Sequence, residues 1–116
     1  MGAEIRQATA KEIKEYTRVC AAGLGIPQEW IGATPPEQTL CAFEDGTMVS
    51  TYRAIPFTVY MNGCDVPAVG VADVSTLPTY RRRGYQRQIF SHHLLQLHEK
   101  GETPLIILWP SRGGIY

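Results

Sequence analysis

The chain has 116 residues, 44% of them hydrophobic and 19% charged, with a formal net charge of +0. This length and composition predict one folded domain and exclude a disordered chain or two domains. A balanced charge gives no overall field for nucleic acid or a membrane surface, so any anion binding must come from a local cluster, and no apolar run is long enough to cross a bilayer.

Taken in order, Ala3 to Gln7 reads as a short first strand with Ile5 as its buried residue. Thr9 then starts a helix, with Glu12 three residues on completing a capping box. Ile13, Tyr16, Val19 and Cys20 fall on one face, and Gly23 to Gly25 end the helix. Ile26 to Gln38 holds three prolines and Trp30 and reads as a long connection with a helical turn near Gln28 to Ile31. A connection of this length in a small domain is often functional.

Thr39 to Phe43 is the second predicted strand. Asp45-Gly46 is a two-residue hairpin signal, from which Thr47 to Arg53 returns. Ala54 to Tyr60 continues extended, with Pro56 marking a bulge or an edge. Asn62-Gly63 is a second hairpin turn, and Cys64 to Leu77 follows as a strand. Pro78 and Thr79 break it. Tyr80-Arg81-Arg82-Arg83-Gly84 makes a tight basic turn, and from Tyr85 a helix runs to Gly101, with Ile89, Phe90, Leu94 and Leu97 at helical spacing. Leu105 to Trp109 is a short apolar run that reads as a buried strand, closed by Pro110. Strand, helix and strand form a right-handed βαβ unit, so this run should lie parallel to Val71–Leu77. The predicted class is α/β (α+β): an antiparallel meander followed by a βαβ unit with a parallel strand pair.

The turn before the second helix carries the chemistry. The first turn of a helix has N–H groups with no intrahelical partner, and the helix dipole makes that end positive. Three adjacent arginines and a side-chain-free glycine at that place describe a site for a phosphorylated ligand. A solvated basic turn or a weak RNA-binding patch is the plainer alternative. The strand–turn–glycine–helix context favours the ligand site, because it supplies the backbone geometry that phosphates need. Neutral overall charge and the lack of an aromatic RNA-binding strand count against RNA.

The run Arg81-Arg82-Arg83-Gly84-Tyr85-Gln86 resembles the Arg/Gln-x-x-Gly-x-Gly/Ala pyrophosphate signature of the GCN5-related N-acetyltransferases (GNAT superfamily), departing from it at Gln86. The longer run Val74 to Gly84 resembles the Eis-like (enhanced intracellular survival) branch. The resemblance implies a GNAT-type mixed sheet, with acetyl-CoA as acyl donor and a small-molecule or peptide amine as acceptor. It implies a pyrophosphate cradle from Arg82, Arg83, Gly84, Tyr85, Gln86 and Arg87. It also implies that the strand at Val74, Ser75 and Thr76 pairs with the pantetheine arm and steadies the thioester oxygen. Ser111, Ile115 and Tyr116 match a Ser-Glu-x-x-Ile-Tyr segment of that branch, with Arg112 in place of the acidic residue. On this basis Tyr116 protonates the leaving thiolate, and Ser111 and Arg112 contact the cofactor. The expected domain is 1–116, a single unit incomplete at the C-terminus, where further strands and a carboxylate base follow in that branch. A non-catalytic CoA-binding or assembly fragment, pairing with another copy through an open sheet edge, is the alternative.

The remaining polar residues add no second chemistry. Cys20, Cys41 and Cys64 are odd in number and widely spaced, which gives neither a metal spacing nor a disulfide framework. They suit a reducing cytoplasm, and the N-terminus lacks the regions of a secretory signal. His92, His93 and His98 lie on the second helix at spacings poor for a metal, so packed or solvent-facing histidines are expected and no metal is predicted. Trp30, Tyr52, Phe57 and Tyr60 are expected as core or cleft walls.

Overall fold

The computed structural model describes residues 3–101 and 105–108. One five-stranded sheet runs in the order β1-β2-β3-β4-β5. Its strands are β1 (Glu4–Arg6), β2 (Cys41–Glu44), β3 (Thr47–Met61), β4 (Cys64–Thr76) and β5 (Leu105–Leu108). Neighbours pair antiparallel through β4, and β4 pairs parallel with β5. The helices are α1 (Ile13–Leu24) and α2 (Tyr85–Glu99). This is the mixed sheet expected from the sequence.

Both hairpin turns form where expected. Asp45-Gly46 and Asn62-Gly63 all have positive φ, as a tight two-residue hairpin requires. Pro56 pairs with Val69 on β4, in the half of β3 that extends beyond its pairing with β2. That part of β3 is an edge, which is where a residue without an N–H is tolerated. Thr39 does not belong to β2. It makes an isolated bridge to Arg53 after a 3-10 turn at Pro36–Gln38 that the sequence reading did not anticipate.

The sheet buries a different set of side chains on each face. Tyr16, Val19 and Cys20 of α1 pack with Cys41, Phe43 and Met48. Tyr85 and Ile89 of α2 pack with Leu40, Ala42, Val49, Tyr52 and Val71. The consecutive residues Leu40, Cys41, Ala42 and Phe43 therefore alternate between the two clusters, as the period of a strand dictates. On α2 the buried line is Tyr85, Ile89 and His93. Phe90 and Leu94 are each 41% exposed, so of these residues of the expected apolar face Ile89 is the one that is buried. Of the four aromatic residues expected as core or cleft walls, Tyr52 is buried, and Trp30, Phe57 and Tyr60 are exposed.

The two glycines at the end of α1 serve different needs. Gly25 ends the helix in the left-handed region, at φ 71°. Gly23 lies inside it, where a Cβ would sit 2.8 Å from Ser75 Cβ and 2.9 Å from the Thr76 nitrogen. The absent side chain lets α1 rest directly on the C-terminal end of β4.

Candidate acyl-donor site

The site begins with an irregularity in β4. Thr51 pairs with Ser75 and Arg53 with Ala72, so two steps on β3 face three on β4. The extra residue lies at a bulge, where Asp73 adopts φ 55°. Asp is one of the few side chains that tolerate this region. Tyr16 Oη donates to Asp73 Oδ2 at 3.0 Å, and Thr51 Oγ1 donates to the Asp73 carbonyl at 2.7 Å. The sequence signals it only through an acidic residue set between the apolar Ala72 and Val74.

Next to the bulge, β4 loses its parallel neighbour. Pairing with β5 covers Ala68 to Val71 and stops at Leu108. From Ala72 to Thr76 that edge has no strand partner among the described residues. A cleft of about 400 Å³ opens between this edge, β5 and α2. Tyr52, Val71, Val74, Phe90, Ile106 and Leu108 are its hydrophobic walls, and Gln86 and Arg87 add polar groups. Tyr52 keeps its hydroxyl occupied, 2.8 Å from His93 Nδ1. Burial holds His93 below its ordinary pKa, so the imidazole is neutral at pH 7.

A second hollow of about 150 Å³ lies at the start of α2, lined by Thr76, Tyr80 and Arg81 to Arg87. After the 3-10 turn Pro78–Tyr80, Arg82 has φ 65° and Gly84 has φ 80°, with Arg83 between them at negative φ. Alternation of this kind makes backbone concavities that hold anions. Gly84 is the N-cap of α2 and brings no capping side chain, and no acidic residue occupies the first turn. The Gln88 N–H bonds back to the Gly84 carbonyl, the first bond of the helix. Among the described residues, the N–H groups of Tyr85, Gln86 and Arg87 have no acceptor.

The arginines divide their work. Arg81 Nη2 donates to the Gly23 carbonyl at 2.6 Å and ties the turn to α1. Arg83 lies over the Tyr80 ring, 5.0 Å from its centroid. Arg82 and Arg87 line the hollow with no acidic partner among the described residues.

The expected site residues do not all contribute in the same way. Tyr85 and Gln86 send their side chains into the protein. Tyr85 Oη donates to Glu44 Oε2 at 2.5 Å, which raises the phenol's pKa. Gln86 Nε2 lies 2.6 Å from Ser50 Oγ, 2.9 Å from the Thr51 carbonyl and 2.8 Å from the Ser75 carbonyl. Ser75 is buried with its hydroxyl 2.7 Å from Thr51 Oγ1, and its carbonyl already accepts from Ser50 Oγ and Gln86 Nε2. Val74 lines the cleft and Thr76 the hollow. Ser111, Arg112 and Tyr116 lie outside the described residues. Burial pushes the Cys20 thiol up to about 11 and Cys41 up to about 12, so neither is a nucleophile near neutral pH. Among the described residues, no three His, Cys, Asp or Glu side chains gather as a metal site would need. No described helix is long and apolar enough to cross a membrane.

Known proteins are similar to this chain in sequence or in fold. An uncharacterized N-acetyltransferase of Streptomyces griseus is 31% identical over 112 aligned positions, covering 88% of this chain and 27% of the relative. Eis1 from Mycobacterium abscessus has the same fold, with a TM-score of 0.81 at 24% identity over 98% of this chain and 29% of its own. So does a GNAT family acetyltransferase from Brucella melitensis solved in complex with acetyl-CoA, with a TM-score of 0.71 at 19% identity over 97% and 78% of the two chains. This chain spans only 16% to 27% of the length of the curated relatives. Residues 4–116 match the acetyltransferase (GNAT) domain, a stretch that takes in every strand, both helices and the arginine turn, and the chain belongs to that family.

Proposed function

We propose that this chain forms the acetyl-CoA-binding part of an N-acetyltransferase of the Eis-like branch, a cytoplasmic enzyme that acetylates a primary amine by direct attack. The observation that carries the reading is the uncapped start of α2, which faces a small basic hollow beside a stretch of β4 with no strand partner among the described residues. The residues present fit a diphosphate. The N–H groups of Tyr85, Gln86 and Arg87 would donate to it, Arg82 and Arg87 would balance its charge, and the positive φ at Gly84 needs a glycine. Val74 to Thr76 would pair with the amides of an extended arm as an added strand does. One N–H of this edge would steady negative charge growing on the thioester oxygen. Acetyl-CoA supplies the acetyl group as an activated thioester.

By resemblance, Tyr116 gives its proton to the departing thiolate, and Ser111 and Arg112 complete the cofactor contacts. The acceptor is a small-molecule or peptide amine. Residues 1–116 act as a single domain in this reading.

A second reading is a CoA-binding or assembly module without turnover. The outer half of β3 favours it, since this edge lies beyond β2 and carries Phe57 and Tyr60, 42% and 74% exposed. Light scattering that returns a strict monomer counts against this reading. Calorimetry with acetyl-CoA tests the first, comparing the parent chain with Arg82→Ala. Heat from the parent and a weaker response from the variant are expected, and equal binding by the two would remove the cradle.

A further inference from the structure

We infer that the Gln86 side chain accepts a hydrogen bond from an amide N–H of the ligand's linear arm, where the anion hollow meets the apolar cleft. The inference rests on the acetyl-CoA reading and deepens it, by naming a side chain that tells a pantetheine-bearing ligand from its bare nucleotide.

Gln86 and Arg87 line both cavities, so a ligand that extends from one into the other passes them. The orientation of the Gln86 amide is decided by its surroundings. Its nitrogen faces the carbonyls of Thr51 and Ser75, at 2.9 and 2.8 Å. Carbonyls only accept, so the amide cannot be turned round without setting oxygen against oxygen. Oε1 is therefore the outward end, and it has no donor among the described residues. No buried side-chain oxygen or nitrogen among those residues lacks a partner, so Oε1 is reachable rather than sealed in the core.

The cleft needs such an acceptor. Apart from Arg87, which can only donate, its other walls are hydrophobic, and the Tyr52 hydroxyl is already engaged by His93. An amide carried into an apolar cleft without a partner is costly to bury. The β4 edge can serve one amide, and Gln86 Oε1 can serve another. A phosphate offers no N–H and is repelled by a carbonyl oxygen, so Oε1 reads the arm and not the diphosphate. Anchoring through Nε2 holds this acceptor in place before the ligand arrives, which lowers the cost of ordering it.

The test is calorimetry on the parent chain and Gln86→Ala, each with CoA and with 3′-phospho-ADP, which lacks the arm. The variant is expected to weaken CoA about tenfold while the nucleotide changes by less than about twofold. Loss of the Nε2 anchor could loosen α2, so a second measurement uses the unaltered protein. With 13C-labelled glutamine, the Gln86 Cδ resonance should move on adding CoA and stay in place with the nucleotide. Equal weakening of both ligands in the variant, or equal shifts from both in the spectrum, would overturn the inference while leaving the cradle standing. A parent chain that binds neither ligand would remove the cradle, and this inference with it.

Discussion

Ahead of α1 the chain closes the 3-10 turn Ala10–Glu12 that leads into the helix. Glu12 Oε1 accepts the Thr9 N–H at 2.9 Å, and Arg6 grips the same carboxylate from Nη1 and Nη2 at 2.8 and 3.1 Å. Arg6 also lies over the Phe43 ring, 3.9 Å from its centroid. At the start of α2 nothing comparable is built. A glycine stands at the cap, arginines take the place of carboxylates, and the first amides have no protein acceptor among the described residues. Neither α1 nor α2 has a side-chain hydrogen bond at its own N-cap, so the contrast is between the clamped carboxylate ahead of α1 and the open basic turn ahead of α2. The side chains of the first turn of α2 bond from the other side, Tyr85 through Glu44 and Gln86 through β3 and β4. Side chains hold this helix to the sheet, and its backbone donors remain available.

The largest expected effect comes from giving α2 the carboxylate that α1 has. Gly84→Asp puts negative charge in the hollow and a Cβ on a residue at φ 80°. CoA affinity should fall by at least about a hundredfold by calorimetry, with a folding cost of only about 1–2 kcal/mol, since nothing lies within 4 Å of the added Cβ. Retained affinity would break the comparison. Gly23→Ala probes the support under the site. The added methyl meets the backbone and Cβ of β4, so denaturant unfolding should show a loss of about 2 kcal/mol. Arg82→Ala should weaken CoA about tenfold, by an amount that shrinks as salt is raised, because a guanidinium at an exposed hollow is screened.

The smallest effect sharpens the α1 side. The Arg6 guanidinium holds the Glu12 carboxyl down at about 2, well below the ordinary carboxylate value of 4.5. A carboxylate depressed in the folded state stabilises the fold above its unfolded pKa. That contribution should fade as pH drops from about 4.5 toward 2. Glu12→Gln should flatten the acid limb of a stability-versus-pH curve and cost no more than about 1 kcal/mol at pH 7, because both partners are about one-third exposed, 37% and 29%. An unchanged acid limb in this variant would show that the turn ahead of α1 is not closed by this pair.

Much of this chain can be read from neighbouring residues. Asp45-Gly46 and Asn62-Gly63 announce their turns because a tight hairpin needs positive φ, and few residues accept it. Pro78, Gly84 and Gly101 bracket α2 for similar local reasons, and the arginine run beside Gly84 marks the candidate anion site in the sequence itself. Backbone preference acts over a few residues, so a one-dimensional string records it.

Tertiary structure alone decided where side chains go once elements meet. The α2 face that is buried runs through His93, which pairs with Tyr52 from 41 residues away, while Phe90 lines the cleft and Leu94 stays 41% exposed. The bulge at Asp73 depends on Tyr16 and Thr51 from other elements. Gly23 looked like part of a helix stop and proved to be a point of close approach to β4. Gln86 stands in the cradle by sequence, but its amide is turned inward by carbonyls on two strands. Local geometry determines which turns and helices form. Packing between segments distant in sequence determines which of their groups remain available to a ligand.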